Sequence, residues 1–280
     1  MSGQLLQDQY VKVGNINTRF WAAGEKGPAL ILVHGLGGFI ENWVYNIDAL
    51  AKQHRVYALD LVGFGLSDKT PLTYDINNLV LFISDFMKTQ NIEKASLVGN
   101  SLGGGLVLKF ALDFPEKVTR LVLVDGAGLG RGVILDFKLC SLPFIGELLV
   151  RPGLKSITRL WKKIVYDSSL VTPELLELSY RLAAQPGAKK AFLATLRTGI
   201  DLLGQRAGLI RPLIDALSGI NKPVLITWGQ QDRIIPVAHA QVAFEKISGA
   251  RLKIFDRCGH MPQLEYPARF NKLVLDFLAE

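Results

Sequence analysis

One serine stands out as the residue best suited to chemistry. Ser101 lies in the string GNSLG, with Gly99 and Gly103 two residues away on either side. A serine on a sharp turn from strand to helix needs small neighbours, because its backbone is strained and the two elements approach closely. The N-terminus of the following helix favours developing negative charge. The pattern indicates a nucleophile; a glycine- and serine-rich turn without chemistry is the alternative.

A serine nucleophile needs a general base, because its hydroxyl is weakly reactive near neutral pH. The chain has four histidines, at His34, His54, His239 and His260. Where a catalytic serine lies on a turn from strand to helix, the acid and then the histidine follow it in the chain, in loops after late strands. Only His260 lies in such a place, after the last apolar run and before the last helix. We expect His54 on the surface at a helix end and His239 in solvent. Near Cys258 and His260 no further His/Cys cluster supplies zinc ligands, so no metal site is expected.

The acid that orients His260 has two candidates. Asp232 follows an apolar run at residues 224–228, in a loop that can reach the histidine, where it would hold the imidazole tautomer and stabilise imidazolium. Asp125 ends the apolar run at residues 121–124 and could reach the same ring. We favour Asp232.

Backbone donors for an oxyanion are expected in the loop HGLGG, which follows an apolar run at residues 29–33. The N–H groups of Leu36 and of Leu102, the residue after the nucleophile, would form the oxyanion hole. A phosphate-binding loop is the rival interpretation, but no Lys-Ser/Thr pair follows and the glycines do not fit G-x-G-x-x-G. No cofactor is therefore expected.

The elements that must position these residues follow from hydrophobic patterning. An antiparallel hairpin is expected at residues 10–13 and 16–22. Short apolar runs then alternate with helix-compatible segments, as a buried parallel sheet requires. The runs span residues 29–33, 56–59, 95–98, 121–124, 224–228 and 252–255. The helical segments span residues 42–53, 77–89, 102–114, 238–247 and 267–278. The sequence predicts an α/β fold with a mostly parallel eight-stranded sheet flanked by helices.

The alternation stops between residues 129 and 220, where prolines separate helix-compatible pieces such as 154–166 and 173–184. We expect a core of residues 1–126 and 221–280 and an inserted helical cap of residues 127–220. The cap would bring apolar side chains toward the active site, among them Leu139, Phe144, Ile145, Leu148, Trp161 and Ile164. Most of them are expected to be packing residues, and about a quarter to line the pocket. Substrate contacts are expected from Gly35, Asn100, Met261 and Trp161. An apolar lid favours hydrophobic acyl or aromatic groups.

The net charge of +7 is concentrated in the cap. Residues 126–220 carry 13 Lys/Arg and 7 Asp/Glu, against 19 and 18 elsewhere. Such a distribution does not indicate nucleic-acid binding. It predicts a solvated basic face. As a weaker alternative, Lys155, Arg159, Lys162 and Lys163 would contact an anionic membrane surface.

The N-terminal residues show no signal or transit peptide, and no apolar stretch approaches 18 residues. Cys140 and Cys258 lie far apart in the sequence and are expected to be reduced thiols. A cytoplasmic location is expected by default. The sequence leaves open whether the protein forms a homodimer.

The motifs HGLGG, DLVGFGLSD, GNSLGG and CGH occur in an order that resembles the serine-nucleophile branch of the α/β-hydrolase superfamily, across nearly the whole chain. The stretches GNSLGG, ITWGQQDRIIP and RCGHMPQLEYPARFNKLVLDFL resemble most the meta-cleavage-product hydrolases, which cut a carbon–carbon bond. That resemblance implies a tryptophan after the catalytic histidine and a cap arginine for the substrate carboxylate. This chain has Met261 and Ser179 there. Arg181 lies about 200° around a helix from Ser179, so it does not replace the arginine.

These observations favour a carboxylesterase with an acyl-enzyme mechanism, acting on small to medium hydrophobic esters. The first alternative is hydrolysis of a carbon–carbon bond in a ketone of the meta-cleavage type. The second is a non-catalytic ligand receptor on a hydrolase fold.

Overall fold

The centre of the protein is an eight-stranded sheet. The computed structural model describes residues 6–280. The strands of the sheet are β1 (Gln9–Val13), β2 (Ile16–Ala23), β3 (Ala29–Val33), β4 (Arg55–Leu59), β5 (Ala95–Asn100), β6 (Val118–Val124), β9 (Val224–Gly229) and β10 (Arg251–Phe255). Their order is β1-β2-β4-β3-β5-β6-β9-β10. Only the pairings of β2 with β1 and β4 are antiparallel, so the predicted hairpin and mostly parallel sheet are confirmed.

Helices connect the parallel strands and continue between β6 and β9. They are α1 (Ile47–Leu50), α2 (Ile76–Thr89), α3 (Leu102–Asp113), α4 (Leu135–Cys140), α5 (Ile145–Leu149), α6 (Leu154–Ile164), α7 (Pro173–Ala183), α8 (Ala188–Gly199), α9 (Ala207–Ala216), α10 (Ala238–Lys246), α11 (Pro262–Glu265) and α12 (Pro267–Leu278). A small hairpin, β7 (Ile200–Asp201) and β8 (Gly204–Gln205), lies between α8 and α9. Within residues 6–280, every helix is too short or too polar to cross a bilayer.

The sheet is buried on both faces, which explains the uninterrupted apolar runs. In β3, Ile31 and Val33 pack into a core that also contains side chains of α2 and α3. The alternate residues, Leu30 and Leu32, pack on the opposite face with Phe270 and other residues of α12. Because successive side chains of a strand point to opposite faces, a strand covered on both sides has no polar position.

The predicted helix at residues 42–53 is wrong. The structure has a 3-10 turn at Ile40–Trp43 and then the single turn of α1. Side chains in this segment bond to groups outside a helix: Asn42 Oδ1 accepts from the Phe39 N–H at 3.1 Å, and Asn46 Nδ2 donates to the Gln263 carbonyl at 3.0 Å. Asparagine competes with helical hydrogen bonding in this way.

The segment between β6 and β9 does not behave as one unit. Helices α6 and α7 match the predicted helical pieces, and α6 packs against α7. Helix α9 instead contributes Leu213 to the core cluster that contains Ile226 and Trp228 of β9. The division into a core and a cap at residues 127–220 remains a prediction, and α9 packs with the core.

Candidate active site

Ser101 occupies a strained turn between β5 and α3. Its φ is 58°, a left-handed value that is rare for residues other than glycine. The Ser101 N–H donates to the Val124 carbonyl at 2.9 Å, which anchors the turn to the neighbouring strand. A Cβ at Gly99 would overlap the Gly103 carbonyl, and a Cβ at Gly103 would overlap the Val33 carbonyl. The two glycines are therefore required by close approach of the backbone.

The loop after β3 passes directly over Ser101. A Cβ at Gly35 would lie 2.9 Å from Ser101 Cβ, so this position also needs glycine. His34 holds the loop: its Nδ1 lies 2.8 Å from the Gly35 carbonyl and its Nε2 accepts from the Leu61 N–H at 3.0 Å. Burial lowers the pKa of His34 to about 4, so the ring is neutral. The sequence placed His34 in the motif but gave it no role.

Asp232 and His260 are brought together by the loops after β9 and β10. His260 Nδ1 lies 2.7 Å from Asp232 Oδ2. The other oxygen of Asp232 accepts from the N–H groups of Ile234 at 2.7 Å and Ile235 at 3.1 Å. His260 Nε2 is buried and bonds to no residue within 6–280, so it is free to take a proton from Ser101. Catalytic hydrogen bonds of this kind commonly tighten only once substrate is bound.

Asp125 lies beside the same pair, as its strand predicted. Its Oδ1 accepts from the Gly229 N–H at 3.0 Å, and its carboxyl is fully buried. Burial, followed by the charge of Asp232, raises the pKa of Asp125 well above its usual range. One ligand atom each from Asp125, Asp232 and His260 lie within 4.8 Å of one another. Hydrogen bonds already occupy both oxygens of Asp232, which fits an acid–histidine pair better than a metal centre.

Glu265 fixes the backbone of the His260 loop. Its Oε1 accepts from the Gly259 N–H at 2.9 Å and the Met261 N–H at 3.3 Å, on either side of the histidine. Its Oε2 accepts from the Tyr166 N–H at 2.7 Å, which joins the loop to the end of α6. Burial raises the pKa of this carboxyl. Glu265 was not predicted, because no motif distinguishes it from a surface residue of a short helix.

A cavity of about 530 Å³ reaches the candidate nucleophile. Seven of the residues predicted to act in catalysis, in the oxyanion hole or in substrate binding line the cavity: Gly35, Leu36, Asn100, Ser101, Trp161, His260 and Met261. The side chain of Asp232 is fully buried and contacts His260, but Asp232 is not among the lining residues. Leu102 is the first residue of α3, so its N–H has no acceptor within the helix.

Two of the expected substrate contacts also hold the wall in place. Asn100 Nδ2 donates to the Val124 carbonyl at 3.2 Å and to the His260 carbonyl at 3.1 Å. Trp161 Nε1 donates to Ser179 Oγ at 2.9 Å. Ser179 is buried and lines the cavity, whereas Arg181 is exposed and absent from the described lining. The cap therefore has no arginine at the position where the resemblance implies one.

Three of the six named apolar residues line the cavity, which is more than the expected quarter, and the other three are exposed instead of packed. Leu139, Trp161 and Ile164 line the cavity. Phe144, Ile145 and Leu148 do not, and they are exposed on α5 and at its start. Hydrophobic periodicity predicts that residues share a face, but it does not show what that face meets.

The expectations for two other histidines are wrong. His54 is 4% exposed, and His239 is 8% exposed. A Cβ at Gly130 would lie 2.5 Å from His239 Nε2, so the loop after β6 covers that ring. Burial lowers the pKa of both histidines. Neither approaches Ser101 closely enough to line the cavity.

The motif DLVGFGLSD forms a second supporting loop. Asp60 accepts from the Ile40 N–H at 2.8 Å and the Leu66 N–H at 2.7 Å, and a Cβ at Gly65 would overlap its carboxyl. Burial raises the pKa of Asp60 to about 7, although the nearby Arg19 guanidinium lowers it. The loop carries Phe64 into the cavity wall.

Comparisons with known proteins agree with this geometry. A family model described as alpha/beta hydrolase fold matches residues 28–267. A 2-hydroxy-6-oxononadienedioate/2-hydroxy-6-oxononatrienedioate hydrolase from Comamonas testosteroni is 34% identical over 265 residues, covering 92% of this chain and 89% of the relative.

Two solved structures have the same architecture. A meta-cleavage product hydrolase from Pseudomonas fluorescens has a TM-score of 0.84 at 32% identity, covering 98% of each chain. A putative lipase from Acinetobacter baumannii has a TM-score of 0.85 at 26% identity, covering 98% of this chain and 91% of the other. The chain belongs to the α/β-hydrolase family.

Proposed function

We propose that this serine hydrolase cleaves esters with small to medium hydrophobic acyl groups. The observation that carries the proposal is the buried 2.7 Å contact of His260 with Asp232 beside a cavity that Ser101 lines. Membership of the family makes the chain a hydrolase, and its apolar cavity walls favour an uncharged substrate.

The proposed reaction uses the family's acyl-transfer chemistry on these residues. Ser101 Oγ attacks the ester carbonyl carbon while His260 Nε2 takes the hydroxyl proton. The N–H groups of Leu36 and Leu102 hold the oxyanion. The carbon–oxygen bond to the alcohol then breaks, and His260 protonates the leaving alkoxide. Water, deprotonated by the same ring, attacks the acyl carbon. The bond from this carbon to Ser101 Oγ then breaks, and His260 returns the proton to Ser101 Oγ as the acid is released, while Asp232 keeps Nδ1 protonated and oriented.

Two of the cations that line the cavity, Lys69 and Lys163, already have partners, which supports an uncharged acyl group. Lys69 Nζ already donates to the carbonyls of Gly65 at 2.8 Å and Ser67 at 2.9 Å. Lys163 Nζ lies 2.7 Å from Asp136 Oδ2. A substrate carboxylate would have to compete with these partners.

A second candidate is hydrolysis of a carbon–carbon bond in a ketone. The names of similar proteins favour it. The Comamonas relative is named a 2-hydroxy-6-oxononadienedioate/2-hydroxy-6-oxononatrienedioate hydrolase, and the Pseudomonas structure is named a meta-cleavage product hydrolase. Arg151 and Arg159 also line the cavity and have no ion-pair partner within residues 6–280. They lie on the exposed side of the cavity, where they could meet a long anionic substrate.

A substrate comparison tests the first proposal. We expect purified wild type to turn over p-nitrophenyl butyrate, and Ser101→Ala to lose at least about 10⁴-fold in kcat. Ser168→Ala, an exposed serine on a 3-10 turn, is the matched control and should keep full activity. Faster turnover of a meta-cleavage product than of any ester would favour the second candidate.

A fluorophosphonate probe separates both enzymes from a non-catalytic receptor. We expect it to label wild type and Ser168→Ala but not Ser101→Ala. Absence of labelling in all three, with normal folding by circular dichroism, would favour the receptor.

Several broader expectations also remain proposals. They are the cap at residues 127–220, the cytoplasmic location, the homodimer and contact with an anionic membrane surface. Of the two partner proposals, membrane contact has a surface that fits it, on α4, α5 and α6.

A further inference from the structure

Six large apolar side chains are exposed together on two adjoining helices and the turn between them. We name them the entrance patch: Leu135, Leu139, Phe144, Ile145, Leu148 and Leu149. Helices α4 and α5 pack against each other, so the residues form one surface. Phe144 is 84% exposed, Leu135 63% and Leu148 60%. Single exposed apolar residues are ordinary, but a contiguous group marks an interaction surface.

The entrance patch adjoins the opening of the catalytic cavity. Leu139 and Leu149 belong to the patch and also line the cavity. The next residues, Arg151 and Pro152, are likewise both exposed and cavity-lining. A molecule that covers the patch therefore lies at the entrance used by substrate.

The backbone holds the most exposed aromatic residue outward. Phe144 has a φ of 63°, which is unfavourable for a bulky side chain. Burial of the ring does not offset this strain, because the ring is in solvent. A partner that buries Phe144 would supply the missing apolar contact.

Unpaired positive charge lies near the patch, since Arg151 and Arg159 line the same cavity as Leu139 and Leu149. Residues 134–163 contain six basic and two acidic side chains. Both acids are already paired, Asp136 with Lys163 and Glu147 with Arg197, each at 2.7 Å. The remaining basic residues have no ion-pair partner within residues 6–280: Lys138, Arg151, Lys155, Arg159 and Lys162. On α6, Lys155, Arg159 and Lys162 share one face at helical spacing.

We propose that the entrance patch docks the protein on an anionic phospholipid bilayer, with its apolar side chains in the interface and the basic residues on lipid phosphates. An apolar surface with a basic border is the chemistry that binds anionic lipid interfaces. A second copy of this chain fits less well, because a twofold contact would bring the same unpaired cations together. Entry of lipid esters into the cavity from the bilayer would rest on the proposed function. The docking itself does not depend on it.

Vesicle co-sedimentation tests the docking. We expect wild type to bind vesicles of phosphatidylglycerol and phosphatidylcholine at low salt, and to bind pure phosphatidylcholine far more weakly. Phe144→Ser/Leu148→Ser should abolish binding. Leu81→Ser/Phe244→Ser, which changes exposed apolar residues on α2 and α10, is the matched control and should bind as wild type does. Lys155→Gln and Lys162→Gln should each weaken binding about fivefold.

Three results would overturn the proposal: no binding by wild type, equal binding to both vesicle types, or undiminished binding by Phe144→Ser/Leu148→Ser. A concentration-dependent dimer that Phe144→Ser/Leu148→Ser dissociates would assign the patch to a second copy instead. Circular dichroism of the same variants reports folding. Because Ser101→Ala should still bind vesicles, loss of the esterase proposal and loss of the docking proposal are distinguishable.

Discussion

At the scale of single residues, two buried carboxyl groups beside His260 have different surroundings. Asp232 accepts two backbone N–H groups on one oxygen and contacts the imidazole with the other. Asp125 accepts one backbone N–H, and its second oxygen is buried with no hydrogen-bond partner within residues 6–280. Donors stabilise a carboxylate, whereas burial without them favours the neutral acid. The surroundings of Asp125 therefore favour its neutral form, whereas Asp232 has hydrogen-bond partners on both oxygens.

Substitution of each carboxyl tests this difference. Asp232→Asn should lower kcat for p-nitrophenyl butyrate about 10⁴-fold, because the amide favours the wrong imidazole tautomer. Asp125→Asn should leave kcat near that of wild type, because burial favours the neutral form of Asp125 and asparagine is neutral too. The measurement is steady-state kinetics of both variants. The opposite ranking would make Asp125 the catalytic acid.

The raised pKa of Asp125 also predicts how stability depends on pH. The pKa of Asp125 is higher in the folded protein than in the unfolded chain, where it is about 4. Its contribution to folding stability is therefore fully present below about pH 4. This contribution is lost as pH rises toward the folded pKa. Asparagine does not ionise, so Asp125→Asn should gain stability relative to wild type as pH rises from about 4 to 8. Urea unfolding at both ends of that range measures the difference; a constant difference would contradict the assignment.

At the scale of elements, close packing of β5, α3 and β3 determines the nucleophile turn. Gly103 and Gly208 are each the second residue of a helix, in α3 and α9. A Cβ at Gly103 would overlap the backbone of β3, whereas nothing lies within 4 Å of one at Gly208. Glycine at position 103 is therefore needed for packing against β3, whereas glycine at position 208 affects only its own helix.

A matched pair of alanine variants measures that difference. Gly208→Ala should stabilise the protein by about 0.5–1 kcal/mol, because alanine favours helix. Gly103→Ala should instead destabilise it by about 3 kcal/mol, since the backbone must move. Chemical denaturation gives both values. Equal effects at the two positions would show that the close approach of α3 to β3 does not require glycine at position 103.

At the scale of the whole molecule, the cavity is formed by residues that are far apart in the sequence. Phe64 follows β4, Ile157 lies on α6, and Phe192 lies on α8, yet all three line it. The entrance lies among α4, α5 and α6, next to the exposed apolar and basic residues. Substrate selection therefore depends on how the helices between β6 and β9 sit over the sheet.

Acyl-chain length tests the apolar cavity. We expect kcat/KM for p-nitrophenyl esters to rise about fourfold per added CH₂ from acetate, because each buried CH₂ contributes about 0.8 kcal/mol. The rise should end once the chain fills the cavity. Measurement of kcat/KM from acetate to octanoate provides the test, and no dependence on length would mean that the acyl group stays in water.

The sequence by itself predicted the alternating strands and most helices of the sheet, and it named Ser101, Asp232 and His260 as the candidate catalytic residues. Apolar runs buried on both faces are continuous in the sequence, and chain order limits which histidine can follow the last strand. The tertiary structure alone decided the burial of His54 and His239 and the interruption of the helix predicted at residues 42–53.

Tertiary structure also decided that Phe144 and Leu148 face solvent, and that Glu265 fixes the histidine loop. The physical reason is common to these cases. Local sequence determines which side chains share a face, whereas burial and hydrogen-bond partners come from segments that are distant in the chain.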